Sequence, residues 1–361
     1  CKLGYRINPL VRLDLFLKFK TQTLSIIKIN KMWFEDLVGF EEVSPENVRE
    51  KIIIDGENLI SKINGKSYQY GTLEIPTLKE LKKQSPLGKY KGSFKINEIV
   101  GNVQEIHCDP QNRNALFQAA SQFNLLEMVG PHISPERGVG IYERDYTQGP
   151  ACAIACGAGT IYRNYFLPIK EQIGQTLATQ VDCLELIGIE LGNEELLLWE
   201  MTNGYALVNK EGLLSINSQI NNLSPERREQ VKEKLKVGVQ WNTEVTLSNS
   251  TQVVSQVYCS ALPVAYSHVD SIYWESFARL ILEATYEATL HAALINMEQT
   301  DCNKVFLTLV GGGAFGNDID WISDSIIKAI SKFRNSPLDI GIISYGSSNE
   351  DVVELIKKVN R

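Results

Sequence analysis

The feature of this sequence that most constrains its fold is an apolar strand that runs into a glycine-rich loop and then into a helix. The strand is KVFLTLV (304–310), the loop is GGGAFGN (311–317) and the helix is DIDWISDSIIKAISKF (318–333). Consecutive glycines let backbone amides wrap an anionic group, and the start of the following helix adds partial positive charge. We expect Gly312 or Gly313 to adopt a backbone conformation that a β-carbon disfavours. A tight turn without a ligand is the alternative interpretation.

From about residue 96 to the end of the chain, strands alternate with helices. This order predicts an α/β domain whose mixed, largely parallel sheet is covered by helices on both faces. The clearest helix runs from Trp274 to Met297 and shows one apolar face at three- and four-residue spacing. Further elements are predicted as strands within 97–108, 114–123, 252–266 and 338–346, strand and hairpin structure in 180–202, and a charged, solvated helix over 224–236.

Two segments precede this domain. Residues 32–95 predict a small α+β extension or cap, with short helices and a hairpin that turns at Asn64–Gly65. Residues 1–31 contain seven Lys or Arg and one Asp, and no periodic apolar face. We expect this basic leader to be a disordered arm or translated upstream sequence, with the working protein beginning near Met32.

Composition excludes several classes of function. The chain carries a net charge of −7 although its first 31 residues are basic, so its body is acidic. Duplex nucleic acid is therefore not the expected partner, because phosphate binding relies on clustered Lys and Arg. No apolar run reaches the roughly 18 residues that a membrane-spanning helix needs. The seven cysteines form no CxxC pair, which predicts buried free thiols in the cytoplasm and no metal site. No bound cofactor is expected.

A second loop of small residues is predicted at QGPA (148–151), again leading into a helix. Its alternative interpretation is close packing of that helix on the sheet. In open α/β sheets, ligands bind in the crevice at the carboxyl ends of the strands. Two amide-rich loops at the ends of separate strands therefore predict a site for a diphosphate.

The order of these motifs resembles that of the macrodomain family. GNVQEI (101–106) looks like the family's Gly-Asp-Ile-Thr opening strand, and NALFQAASQFN (114–124) resembles its Ala-Ile-Val-Asn-Ala-Ala-Asn strand. QGPACAIACGAG (148–159) is similar to the first glycine-rich loop with its helix. QVYCSALPVAY (256–266) stands where the strand before the long helix should be. LTLVGGGAFGNDIDWI (307–322) looks like the second, diphosphate-binding loop of the family.

The resemblance covers about residues 96–361, with 160–250 as a long insertion, and it implies a three-layer α/β/α sandwich that binds ADP-ribose or a related nucleotide. Asn102 stands where the family usually places an Asp that accepts from the adenine amino group, and an Asn carbonyl can also accept. Ser121 and Asn124 fall near the asparagine that holds the distal ribose. The remaining ligand-binding residues implied are Gln148, Gly149, Pro150, Ala151, Gly311, Gly312, Gly313, Ala314, Phe315, Gly316 and Asn317.

Between the two loops, residues 125–150 are rich in Gly, Pro and charge, which is typical of a lid over a ligand. Its carboxylates Glu127, Glu143 and Asp145 are candidate general bases that would orient water against an anomeric carbon. Solvated loop carboxylates are the alternative interpretation for all three. Arg163 is expected either to pair with phosphate or to form a surface salt bridge.

The sequence does not distinguish an enzyme from a binding module. If the chain is an enzyme, the resemblance implies a hydrolase that removes ADP-ribose from an ADP-ribosylated macromolecule or a small ester. The alternatives are a non-catalytic reader of NAD-derived metabolites and a structural protein in which both glycine loops are turns.

Overall fold

The structure, a computed structural model, describes residues 32–248 and 250–361. The strands are β1 (Ile52–Asp55), β2 (Asn58–Ser61), β3 (Ser67–Gln69), β4 (Thr72–Glu74), β5 (Lys95–Val100), β6 (Leu116–Ala120), β7 (Pro168–Ile169), β8 (Gln172–Ile173), β9 (Trp199–Thr202), β10 (Tyr205–Val208), β11 (Gly238–Glu244), β12 (Val253–Cys259), β13 (Lys304–Leu307) and β14 (Asp339–Ser344). The centre of the fold is a seven-stranded sheet with the order β4-β11-β12-β6-β13-β14-β5. The five strands from β12 to β5 are parallel, and β11 and β4 are antiparallel to their neighbours.

Helices cover both faces of this sheet. Successive residues of a strand point to opposite faces of the sheet. Two neighbouring residues of β6 therefore contact helices on opposite faces. The Gln118 Nε2 atom donates to the Thr289 hydroxyl at 2.8 Å on one face, and the Phe117 ring stacks on His107 on the other, with centroids 3.7 Å apart. The predicted α/β class with a mixed, largely parallel sheet between helical layers is therefore confirmed. The helices are α1 (Trp33–Val38), α2 (Pro45–Lys51), α3 (Leu78–Gln84), α4 (Val103–Cys108), α5 (Gln148–Ala155), α6 (Gly157–Tyr165), α7 (Glu185–Leu191), α8 (Lys210–Asn221), α9 (Pro225–Lys232), α10 (Glu275–Thr300), α11 (Ile319–Lys332) and α12 (Glu350–Val359).

The extension predicted over 32–95 shares the sheet with the domain predicted over 96–361. Its strands β1, β2 and β3 form a small antiparallel sheet, and the predicted Asn64–Gly65 turn joins β2 to β3. Its last strand, β4, pairs with β11 and forms one edge of the main sheet. Strand β11 belongs to the segment 160–250, which also supplies the hairpin of β9 and β10. The basic leader predicted over 1–31 lies outside the described residues.

Three predicted elements differ from the structure. The strand expected within 97–108 ends at Val100, so the run 101–106 is not part of it. Asn102 instead caps helix α4 by accepting from the Gln104 amide at 2.9 Å. The side chain of Asn competes well for such amides, which favours a helix start. Part of 180–202 is helix α7, which ends at Gly192 in the left-handed conformation that glycine adopts without steric cost. The loop predicted at 148–151 is the first turn of α5.

Helix α10 is buried on all sides rather than on one predicted face, because it lies between the sheet and other helices. Its polar residues Glu283 and Glu287 are consequently inside the protein. Helix α9, which was predicted to be a solvated helix, contributes Lys232, whose side chain is only 1% exposed. The Lys232 Nζ atom lies 2.8 Å from Glu229 Oε1, 3.2 Å from Glu287 Oε2 and 3.4 Å from Glu283 Oε2.

In this cluster, pairing with cations affects the pKa of the buried carboxylates more than burial does. Burial raises the pKa of Glu287, but Lys232 and Lys332 outweigh burial and hold it below its ordinary value. The same balance, with Arg228 and Lys328 as the first partners, lowers the pKa of Glu283. The stability that these carboxylates contribute is therefore present above their unfolded pKa and is lost as the pH falls through the folded value.

Replacing Lys232 with methionine should reduce the free energy of unfolding by up to about 3–5 kcal/mol, because it removes the buried cation of the cluster and leaves Glu287 with the more exposed Lys332 and Glu283 with Arg228 and Lys328. The matched control is Lys234→Met, since Lys234 pairs with Glu190 at 3.0 Å but is 38% exposed. Its loss should be about 0–1 kcal/mol. Urea unfolding at neutral pH measures the free energy of unfolding of both variants. Equal losses in the two variants would show that the buried cluster contributes no more than a surface pair.

Candidate functional site

Two adjoining cavities lie at the carboxyl ends of the central parallel strands. The first, the Glu127 chamber, has a volume of about 250 Å³ and is lined by residues that follow β6 and β13, by the start of α5 and by the lid. The second, the Trp33 chamber, has a volume of about 510 Å³ and lies beside β5, α4 and α5. Asp145, Thr147, Gln148 and Thr308 line both chambers. The two therefore form one elongated site at the edge where α/β sheets bind ligands.

The glycine loop 311–317 forms one wall of the Glu127 chamber. Within the loop, the amide of Gly312 donates to the Leu309 carbonyl, that of Gly316 to Gly313, and that of Asn317 to Gly311. The backbone amides of Gly313, Ala314 and Phe315 have no acceptor among the described residues, and all three residues line the chamber. A run of unpaired backbone amides is the arrangement that binds phosphate oxygens.

The positions of this loop that require glycine are not the predicted ones. Gly311 and Gly316 have positive φ angles of 79° and 69°, whereas Gly312 and Gly313 do not. A β-carbon on Gly311 would lie 2.4 Å from the Ala261 Cβ atom, but one on Gly313 would meet nothing within 4 Å. The prediction for Gly312 and Gly313 was wrong, because the chain turns sharply where it leaves β13 and where it approaches α11.

The start of α5 forms another wall of the Glu127 chamber. Helix α5 approaches the sheet so closely that a β-carbon on Gly149 would lie 1.9 Å from the Ala120 carbonyl oxygen. The Gln148 side chain continues the ladder of β6, accepting from the Ala120 amide at 3.0 Å and donating to the Gln118 carbonyl at 2.8 Å. Thr147 provides no side-chain cap, so the amides of Gln148 and Gly149 stay open to a ligand, whereas Pro150 has no amide hydrogen to offer.

Glu127 stands at the inner end of the first chamber. Its side chain is 1% exposed, and neither carboxyl oxygen has a hydrogen-bond partner in the described structure. The nearest cation is Arg163, whose Nη2 atom lies 3.9 Å from Glu127 Oε1. Burial raises the pKa of Glu127 to about 8, although Arg163 acts in the opposite direction. Near neutral pH this carboxyl is therefore largely protonated and able to donate a proton.

The other two candidate carboxylates are more accessible. Asp145 lines both chambers, and its Oδ1 atom accepts from the Thr147 amide at 2.9 Å. Glu143 lines the Trp33 chamber, where its Oε2 atom accepts from the backbone amide of Trp33 at 3.1 Å. All three predicted carboxylates thus line the site, but only Glu127 is fully buried.

The structure separates the remaining predicted residues into two groups. The residues that line a chamber are Asn102, Ser121, Gln148, Gly149, Pro150, Ala151, Gly311, Gly313, Ala314 and Phe315. Four others do not line either chamber: Asn124, Gly312, Gly316 and Asn317. Asn124 is fully buried, donates to Gln180 and accepts from the Leu126 amide. Asn317 donates to the Leu262 carbonyl at 2.8 Å and so fixes the loop rather than facing the cavity.

Sequence reasoning found one aromatic residue of the site, Phe315, and missed two, Tyr205 and Tyr266. The three rings pack together with centroids 5.0–5.7 Å apart and form a wall of the Glu127 chamber. Tyr205 comes from the β9–β10 hairpin of the long insertion, and its hydroxyl donates to the Met128 carbonyl at 2.7 Å. The Asn203–Gly204 pair that precedes it is a strong hairpin signal and was readable in the sequence. Arg163, expected at the surface or on phosphate, is instead fully buried behind Glu127.

Trp33 was also missed, because it belongs to the extension and not to the domain with the motifs. Its indole nitrogen donates to the Val139 carbonyl at 3.3 Å, and its ring lines the second chamber. Glu42 holds the same part of the lid: it accepts from the amides of Val139 at 2.9 Å and Gly140 at 2.6 Å. Residues 32–42 therefore fasten the lid and complete the chamber.

Neither chamber is lined by Lys, Arg or His in the part of the chain that the structure describes. An anionic ligand here would therefore be held by uncharged donors, which are backbone amides and the hydroxyl and amide side chains of the lining. Within the same residues, no group of three or more His, Cys, Asp or Glu side chains is placed to hold a metal ion. Nor does any described helix have the length and apolarity to cross a bilayer.

Comparison with solved structures finds poly(ADP-ribose) glycohydrolases. The enzyme from Thermomonospora curvata, bound to the inhibitor ADP-HPD, is 8% identical, with a TM-score of 0.44 over 87% of this chain and 95% of that chain. The enzyme from Deinococcus radiodurans in complex with ADP-ribose is also 8% identical, with a TM-score of 0.41 over 80% of this chain and 93% of that chain. Similarity at this level does not assign a function. No protein-family model matches the sequence, and no curated protein matches it significantly.

Proposed function

We propose that this protein binds ADP-ribose or a related nucleotide diphosphate in the two chambers. The observation that carries the proposal is the row of unpaired amides at Gly313, Ala314 and Phe315 beside a cavity that the uncapped start of α5 also lines. Two sets of amides around one cavity suit a diphosphate, which presents oxygens in several directions. The order of macrodomain-like motifs in the sequence supports the choice of ADP-ribose.

The shape of the site suggests how the ligand would lie. A diphosphate at the glycine loop would place the distal ribose in the Glu127 chamber, against the wall of Tyr205, Tyr266 and Phe315. The base would then occupy the Trp33 chamber, which Asn102 also lines. The Asn102 Oδ1 atom caps helix α4 but has a second lone pair, and its amide nitrogen is a donor.

Binding of ADP-ribose should depend on the absence of a side chain at Gly313. Gly313→Val should leave the melting temperature nearly unchanged, because the position has a permissive conformation and open surroundings. The same side chain would occupy the volume that the diphosphate needs. Calorimetry with ADP-ribose should show a loss of affinity of tenfold or more, about 1.4 kcal/mol.

Gly312→Ala is the control for this measurement, because Gly312 does not line the chamber and its amide already donates to Leu309. Its affinity for ADP-ribose should match that of the wild-type protein. Unchanged affinity in Gly313→Val, with the wild-type protein binding ADP-ribose tightly, would mean that the loop is a turn and not a phosphate cradle. Absence of any ADP-ribose binding by the wild-type protein would reject the proposal itself.

We further propose that the site hydrolyses an ADP-ribosyl bond, with Glu127 as the general acid. The bond between the anomeric carbon and the acceptor breaks, and the proton of Glu127 passes to the leaving group. Water attacks the anomeric carbon and loses a proton to Asp145 or to the Glu127 carboxylate just formed. A buried carboxyl with a pKa near 8 suits this role, because it holds its proton at neutral pH. The substrate would be an ADP-ribosylated macromolecule or a small ADP-ribosyl ester.

Glu127→Gln should reduce turnover of an ADP-ribosylated substrate by about 100-fold or more, since it removes a proton donor. It should preserve binding of the product, because the side chain keeps its size. Activity of the wild-type protein should also fall as the pH rises through about 8, where Glu127 loses its proton.

Glu143→Gln and Asp145→Asn serve as comparisons on the more exposed carboxylates. Full activity in all three single variants would remove the proposed chemistry. A wild-type protein that binds ADP-ribose but turns over no substrate would be a reader of NAD-derived metabolites. The observation that favours a reader is that both Glu127 oxygens are sealed from solvent.

A further inference from the structure

We propose that Arg163 is a positioning residue for Glu127: it holds the carboxyl at the inner end of the chamber and lets it exchange a proton in the neutral pH range. The inference rests on the proposed role of Glu127, and it adds a residue that touches neither the cavity nor the ligand. Three features of the structure carry it. They are the fixation of the guanidinium, the backbone conformation two residues before Glu127, and the absence of competing cations.

The guanidinium of Arg163 is held in one place by contacts on several sides. Its Nε atom donates to the Leu125 carbonyl at 3.2 Å, and its Nη2 atom donates to the Thr160 hydroxyl at 3.1 Å. Its plane lies over the Tyr258 ring, with 3.5 Å between the Cζ atom and the ring centroid. The side chain is 0% exposed. A planar, rigid cation of this kind cannot be replaced by a lysine without losing contacts.

The backbone that leads to Glu127 is strained. Leu125 has a φ of 66°, in the left-handed region that a branched side chain rarely enters. Its carbonyl is the one that accepts from Arg163, and its amide donates to the Gln122 carbonyl at 3.0 Å. Such strain persists only where surrounding contacts overdetermine the conformation. Arg163 supplies one of these contacts, so it helps to aim Glu127 at the chamber.

Arg163 is also the one cation that acts on the Glu127 carboxyl within the described residues. The other groups that face it are Tyr142 and Asp145 from the lid, Cys152 from α5 and Tyr258 from β12. At 3.9 Å the guanidinium makes no hydrogen bond to Glu127, so its effect is electrostatic. In a buried site that effect is large. Without it, burial alone would keep the carboxyl protonated well above neutral pH.

The test measures the pKa of Glu127 directly, by carbon-13 NMR of protein labelled at the glutamate carboxyl, with Glu127→Gln to assign the signal. In Arg163→Met the pKa should rise by about 1 to 3 units, the usual effect of losing a close cation. In Arg163→Lys, which keeps the charge but not the plane, it should rise less. The control is Arg113→Met, because Arg113 is exposed and forms no salt bridge with another described residue. The Glu127 signal of this variant should titrate as in the wild type.

An unchanged Glu127 pKa in folded Arg163→Met, or an equal rise in Arg113→Met, would overturn the inference. If Arg163→Met does not fold, an unchanged pKa in Arg163→Lys overturns it instead. Turnover of an ADP-ribosylated substrate by the same proteins separates this inference from the proposed function. The expected pKa rise with no turnover in the wild type would reject hydrolysis and leave the role of Arg163 intact. Turnover with no pKa change would reject only the role of Arg163.

Discussion

The closest approach in the site, between Gly149 and the Ala120 carbonyl, fixes the position of α5 against the sheet. No side chain fits there, because a β-carbon on Gly149 would lie 1.9 Å from that oxygen. Gln148 secures the same junction, because its side chain accepts from the Ala120 amide and donates to the Gln118 carbonyl of β6. Since β6 and β13 are neighbours, the position of α5 also sets its distance from the glycine loop that follows β13. The width of the Glu127 chamber therefore depends on this junction between α5 and β6.

The cavity walls and the inner end of the site differ in their electrostatic character. Its mouth and walls offer amides and no lysine, arginine or histidine among the described residues, so an anion would be held by fixed dipoles rather than mobile charges. Its inner end contains a buried acid, with a buried cation behind it that does not reach the cavity. Such an arrangement would let a proton move at Glu127 without placing a competing positive charge beside the diphosphate.

The sequence predicted those features that depend on local chemistry. The alternation of strands and helices predicted the α/β class. The Asn64–Gly65 pair predicted the hairpin turn, and the run of glycines predicted the loop with unpaired amides. It did not predict features that depend on distant parts of the chain meeting. Gln148–Ala151 resembles a loop because its residues are small, yet they are small because α5 packs closely on the sheet. Glu127 resembles a solvated loop carboxylate until Arg163, Tyr258 and Tyr142 surround it. Trp33 and Tyr205 enter the site from the extension and the insertion, where no motif marks them.

The central claim is that the backbone of the glycine loop binds the diphosphate, and a structure of the protein with ADP-ribose tests it most directly. The account predicts phosphate oxygens about 2.7–3.2 Å from the amide nitrogens of Gly313, Ala314 and Phe315. It also predicts the distal ribose in the Glu127 chamber. A diphosphate bound by lysine or arginine side chains elsewhere on the surface, with these three amides unchanged, would contradict the account.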